Sequence, residues 1–190
     1  MDTAPIALID ACVLYSAPIR DLVVRLAQAG LLRARWSEGI HEEWMRNLLK
    51  NNAGLSRERL ERTRSLMDAA VRDCLVADYL HLIDALVLPD PDDRHVLAAA
   101  IHAGAQVIVT FNLSDFPPNT LAGFGIELRH PDQLFVELFD EAPEEFCDAL
   151  RLQRQALKNP PMTIEVLLVK FAEVGLPQIA ARLGNCVSRL

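Results

Sequence analysis

The chain has 190 residues, 51% of them hydrophobic and only 6% aromatic. That length suits one domain with an appendage, or one large domain, with a core packed mainly by aliphatic side chains. A formal net charge of −7 argues against a nucleic-acid partner for the chain taken as a whole. The four cysteines, Cys12, Cys74, Cys147 and Cys186, form no C-x-x-C pair and the histidines are scattered, which argues against a zinc site and against a disulfide framework. A reducing cytoplasm is therefore the expected location. The N-terminus has no basic region followed by an apolar run, so no signal peptide is expected, and no apolar stretch is long enough for a membrane span.

In chain order, residues 6–10 (IALID) predict a short buried strand ending on a carboxylate. A helix over about residues 19–28 follows, with Gly30 as its stop, and then a second strand over residues 31–37. Ser37 is the predicted N-cap of a helix through Glu42, Glu43, Trp44 and Leu48; Ser56 caps the next, with Leu60 and Met67 on its apolar side. Residues 76–88 are ambiguous, holding a short helix and then a strand at 85–88. The run Pro89-Asp90-Pro91-Asp92-Asp93 breaks the chain. A helix over residues 92–102, closed by Gly104, leads into the strongest strand, residues 106–110 (QVIVT). A polar loop, Asn112-Leu113-Ser114-Asp115, and a Pro117-Pro118 turn come next. The last strand is expected at residues 127–129 and a helix at about 133–139. Strands thus alternate with helices to about residue 140, the pattern of βαβ units and a parallel sheet. Beyond it the chain reads as wholly helical, with segments at residues 144–156 and 164–173 separated by Asn159-Pro160-Pro161, and a third starting near Pro177.

The charge is unevenly placed. Residues 46–72 hold seven basic side chains (Arg46, Lys50, Arg57, Arg59, Arg62, Arg64, Arg72) against three acidic ones (Glu58, Glu61, Asp68), a local excess of +4. This stretch either contacts phosphates or is a solvated helical face with i,i+4 pairs such as Glu58 with Arg62. Elsewhere four acids share one local grammar. Asp10 ends a strand, Asp93 opens a helix, Asp115 lies in the loop after the strongest strand, and Glu43 sits early on a helix. Loops at the carboxyl ends of strands converge on one crevice in open α/β sheets, which would bring Asp10 and Asp115 together with the two helical acids at the rim. Clustered carboxylates raise one another's pKa and call for a cation, and an all-oxygen donor set suits Mg²⁺ or Mn²⁺. Plainer roles compete. Asp93 is favoured at a helix start by the macrodipole, with Asp90 and Asp92 as rivals; Asp115 could bond its own backbone; Glu42 adjoins Glu43, and helical phase does not separate them.

The segments IDACVLY with Asp10, SEGIHEEW with Glu43, and DPDDRHVLAAAIHAGAQVIVTFNLSDF with Asp93 and Asp115 together resemble the PIN-domain family, in particular VapC toxins. The resemblance covers about residues 6–130; the helical tail is similar to an extension found in some of these toxins. It implies a Rossmann-like α/β/α sandwich on a short parallel sheet, with a PIN domain at residues 1–140 and a C-terminal all-helical extension at 141–190. It further implies a Mg²⁺-dependent (or Mn²⁺-dependent) endoribonuclease that cuts tRNA or rRNA and is blocked by a cognate VapB-like antitoxin. Related domains often pair, so a homodimer is one expected state of association. The family's acids map to Asp10, Glu43, Asp93 and Asp115 as catalytic residues, with Asp10, Asp93 and Asp115 as metal ligands. Thr110 and Asn112 match polar positions lining the pocket, and Arg94 is a candidate for docking RNA phosphates. Two departures stand out: Asn112 where many members carry Asp, and Cys12 where Asn, Ser or Thr is common.

Two other classes compete. A phosphotransferase using Asp10 as nucleophile would want a second Asp at position 12, where Cys12 stands, or a lysine after the strongest strand, where none follows. A non-catalytic binding module on the same scaffold would not need the full set of acids.

Overall fold

The computed structural model describes residues 4–158 and 161–185; Cys186, and Asn159 and Pro160 of the predicted helix break, lie outside them. Five parallel strands form one sheet in the order β3-β2-β1-β4-β5: β1 (Ile6–Ile9), β2 (Arg33–Ser37), β3 (Leu75–Val76), β4 (Val107–Val109) and β5 (Glu127–Arg129). The central strand β1 pairs Leu8 with Arg35 of β2 and Leu8 with Ile108 of β4. Its Ala7, Leu8 and Ile9 are fully buried, as a strand covered on both faces requires. The chain builds outward from β1 through β2 to β3, then returns to the other side for β4 and β5. The order therefore reverses between β1 and β4, and the crevice beyond their carboxyl ends is where such sheets bind ligands.

Helices pack around the sheet, so the expected α/β sandwich is the fold found. Asp10 caps α1 (Ala11–Tyr15), and Pro18 sits near the start of α2 (Ala17–Gln28), whose chain leaves through Gly30 at φ +78°. Ser37 caps α3 (Glu38–Asn51) by accepting from the Ile40 N–H, and Ser56 caps α4 (Arg57–Ala70) by accepting from the Arg59 N–H, both as the sequence predicts. In α5 (Arg94–His102), Ala98, Ala99 and Ala100 are fully buried, small side chains that let the helix lie close on β1, β2 and β4.

Three expectations need correcting. The strand predicted at residues 85–88 is absent; the third strand is the two-residue β3, and residues 80–85 form a 3₁₀ turn. Leu86 and Leu88 are buried and Val87 is 75% exposed, so the alternation is real but the segment pairs with no strand. α1 was unforeseen, and the Pro117-Pro118 turn opens a short helix, α6 (Pro118–Ala122), with proline at its first position. Two of the seven basic residues of the 46–72 stretch are tied up in ion pairs: Arg57 bonds Glu42 and Glu61, and Arg64 bonds Glu38 and lies near Asp68. Glu58 and Arg62 form no ion pair among the described residues.

One buried network ties β2, α3 and α4. His41 is fully buried; its Nδ1 accepts from the Trp44 indole at 3.0 Å, so its Nε2 carries the proton and donates to Asp68 at 2.9 Å. The Trp36 indole donates to the same Asp68 oxygen at 2.8 Å. Burial holds the His41 pKa below its usual value, so the ring is neutral.

The tail forms α7 (Pro131–Glu141), α8 (Pro143–Ala156), α9 (Ile164–Glu173) and α10 (Pro177–Gly184). It is docked on the sandwich. α8 packs on α2, where the buried Gln153 donates to the Pro18 carbonyl at 2.8 Å. Asp132, at 1% exposure, accepts from the Gln178 and Ile179 N–H groups at 2.9 Å each and so caps α10 from α7. Cys12 and Cys74 are free thiols. Among the described residues no helix is long and apolar enough to cross a membrane.

Candidate active site

Asp10 leaves the end of β1 and is almost fully buried. The Thr110 hydroxyl donates to its Oδ2 at 2.6 Å, the Cys12 thiol to the same oxygen at 3.1 Å, and the Ala11 N–H to Oδ1 at 2.6 Å. Burial raises the Asp10 pKa, these hydrogen bonds oppose the rise, and the Glu43 charge adds to it. The Cys12 thiol is pushed up to about 12 by burial and by Asp10, so it stays protonated and serves as a donor. Thr110 in turn accepts from the Asn112 N–H at 3.0 Å, and Cys12 accepts from the Phe111 N–H at 3.3 Å. The loop after β4 is thus hung from the same two side chains that hold Asp10.

Asp93 sits at the junction of a 3₁₀ turn (Pro91–Asp93) and α5, but it makes no capping hydrogen bond; Asp90 takes that work by accepting from the Asp92 N–H at 2.9 Å. The Asp93 carboxyl is pushed up to about 7, first by burial and then by Asp10, Asp115, Asp90 and Glu43. A helix-start acid serving the macrodipole would be shifted downward. Glu42 and Glu43 both line the acidic cavity but have different partners. Glu42 is tied to Arg57, which lowers its pKa, whereas Glu43 stands 3.3 Å from His95 Nε2. Glu43, Asp90, Asp93, Asn112 and Asp115 line one cavity of about 540 Å³, with Arg46 and His95 among its other walls. A larger cavity of about 730 Å³ adjoins Cys12 and contains Arg20, Arg59 and Phe111 but no carboxylate.

The structure therefore brings Asp10, Glu43 and Asp115 within electrostatic reach of Asp93, and Glu43 within reach of Asp10. Their donor set, carboxylate oxygen throughout, suits a hard divalent cation, whose charge would relieve the repulsion that Asp93 records. In the side-chain positions observed, no three His, Cys, Asp or Glu groups among the described residues stand close enough to grip one ion. Binding would require one or more of these side chains to turn inward.

Two predicted substrate contacts stand apart from the acidic cavity. Thr110 is fully buried and lies behind Asp10, because its hydroxyl is spent on the carboxylate and on the Asn112 N–H; it does not line that cavity. Arg94 does not line the acidic cavity, and its Nε is buried without a partner. Asn112 does line it. Sequence reasoning missed His95, and it named Arg46 and Asp90 without placing them in this cavity. His95 stands two residues after Asp93 and meets Glu43 across the gap that Gly39 leaves open: a Cβ on Gly39 would lie 3.0 Å from His95 Nδ1. The only available signal for His95 was its place beside Asp93.

A sheet reversing between β1 and β4, with carboxylates collected beyond that point, defines the class. The PIN domain profile matches residues 7–114, and the chain belongs to the PIN domain family. Residues 131–185 match the VapC50 C-terminal domain. A Mycobacterium tuberculosis protein named "Putative ribonuclease VapC50" is 39% identical over 90 residues, covering 47% of this chain and 53% of that protein. The chain thus spans about half the length of the curated relative it matches. No solved structure matches it.

Proposed function

We propose that this chain is the toxin component of a type II toxin–antitoxin pair, an endoribonuclease that cuts a structured tRNA or rRNA and so inhibits translation. The reading is carried by the convergence of Asp10, Glu43, Asp93 and Asp115, recorded in the upward push on Asp93 from its carboxylate neighbours. The likeness to a protein named a ribonuclease and to the VapC50 C-terminal domain supports it. Residues 1–140 carry the chemistry and 141–190 the helical extension. The work is done in the cytoplasm, and a VapB-like antitoxin holds the enzyme silent between uses.

When bound, Mg²⁺ or Mn²⁺ supplies charge neutralisation, polarises the scissile phosphate and acidifies water. Asp10 and Asp93 would hold it, with Asp115 as a further ligand. Thr110 and Cys12 fix the orientation of Asp10. Glu43, steadied by His95, orients the attacking water and takes its proton. Asn112 and Arg46 face the substrate side, Arg46 offering its guanidinium to a phosphate. Water attacks phosphorus in line, the bond to the 3′ oxygen breaks, that oxygen takes a proton from solvent, and the products carry a 5′-phosphate and a 3′-hydroxyl.

The test is to induce expression, sequence the new RNA ends, and repeat the cleavage with purified protein and Mg²⁺. A single dominant cut is expected, reduced about 10³-fold or more by Asp10→Asn or Asp93→Asn, the scale on which catalytic groups are missed. Cleavage that survives both substitutions would sink the assignment.

A further inference from the structure

The loop that carries Asn112 and Asp115 is anchored at one end by Thr110 and Cys12, as described above. Its other contact comes from outside the strands. The Phe111 ring stands edge-on to His130, with ring centroids 5.0 Å apart and planes at 80°. On another side it lies against Gly175, in the turn between α9 and α10. A Cβ built on Gly175 would meet Phe111 Cε1 at 2.8 Å, closer than real Cβ contacts come, so the ring would have to shift. Gly175 also has φ +97°, a backbone conformation that residues with a side chain rarely adopt. Two independent demands therefore fall on this position: the turn needs glycine, and so does the ring.

The turn is itself held in place. The Leu176 N–H donates to the Phe171 carbonyl at 2.8 Å, and the first turn of α10 is capped by buried Asp132. Asp132 lies two residues beyond His130, whose Nδ1 accepts from the Asp132 N–H at 3.2 Å. His130, Asp132 and Gly175 thus form one frame around Phe111.

We propose that the turn between α9 and α10 positions the active-site loop, with Gly175 and Phe111 as the contact through which the helical extension sets the place of Asn112 and Asp115. This rests on reading that loop as part of the active site. Neither Gly175 nor Phe111 touches the reacting atoms; both act through the loop backbone, whose Phe111 and Asn112 N–H groups are bonded to Cys12 and Thr110.

Those two amides supply a readout independent of activity. Hydrogen exchange would be followed in the full chain for wild type, Gly175→Ala and Asp132→Asn, with Phe146→Leu as a control. Phe146 packs on Phe139 within the same extension, away from Phe111. Gly175→Ala should speed exchange of both amides about tenfold or more, weaken Mn²⁺ binding, and slow single-turnover RNA cleavage about tenfold at unchanged KM, the range seen when groups behind a metal site are disturbed. Asp132→Asn, which loosens the frame without adding a side chain, should move the same quantities less. Phe146→Leu should lower Tm and leave all three near wild type. Wild-type exchange at both amides in folded Gly175→Ala, or in Asp132→Asn should the first variant not fold, overturns the proposal; so does an equal response from Phe146→Leu. If the amides respond as expected but the wild-type protein cuts no RNA, the positioning stands and the nuclease reading falls.

Discussion

Asp10 and Asp132 each follow a parallel strand, β1 and β5, and each is almost completely buried, yet their surroundings treat them in opposite ways. Asp132 spends both oxygens on backbone N–H groups of α10 and joins two helices. Asp10 is also hydrogen-bonded, but burial raises its pKa, the Glu43 charge adds to the rise, and its charge in turn pushes up Asp93, which Asp90 and Asp115 crowd as well. A buried carboxylate is therefore no sign of chemistry by itself. The distinction lies in whether its neighbours neutralise it or oppose it.

Three substitutions sharpen this contrast. The largest effect is expected from Asp132→Ala, which strips two charge-assisted bonds from a helix start. A loss of about 2–3 kcal/mol, or roughly 5–10 °C in Tm, should appear in thermal melts followed by circular dichroism. A change of less than a degree would mean that water caps α10 equally well. Thr110→Val keeps the shape of the side chain and removes the hydroxyl that holds Asp10. Cleavage should slow about 10- to 100-fold, as for other groups behind metal ligands, with a small change in Tm. Wild-type rates would show that Asp10 needs no such support.

The smallest effect has a size that depends on pH. Folded Asp93 titrates near 7, against its ordinary 3.8. Between those values the folded state holds the extra proton, so the group's contribution is complete below about 4 and is lost as pH rises through 7. Without metal, Asp93→Asn should raise Tm by about 3–5 °C at pH 8, a figure reduced for the group's partial exposure, and by almost nothing near pH 4.5. His41 acts in the other direction. Its lowered pKa makes stability fall as pH drops below about 6.5, but it does so equally in both proteins and cancels in their difference. A Tm gain that grows toward acid pH would contradict the crowding of Asp93.

Much of this was legible in the sequence because the physics was local. The apolar run IALI, the caps Ser37 and Ser56, and the stops Gly30 and Gly104 are signals carried by neighbouring residues, and the strands and helices they imply are present. Short elements were hidden. β3 has two residues and owes its existence to pairing with Trp36 and Ser37, and α1 continues an apolar run without a helical period long enough to recognise. At the site, the convergence of the acids followed from strand order. The choice between Glu42 and Glu43 did not, because it depends on Arg57 and His95 from two other helices. Nor did the duty of Thr110, which arises from a partner 100 residues away.

The network around His41 has a spectroscopic consequence. Both tryptophans of the chain, Trp36 and Trp44, donate their indole N–H into that one cluster, and Arg20 lies 4.6 Å above the Trp44 ring. All intrinsic tryptophan emission therefore originates in a single dry spot where β2, α3 and α4 meet. A fluorescence melt times the opening of that junction alone, while α7 through α10 come apart in the dark.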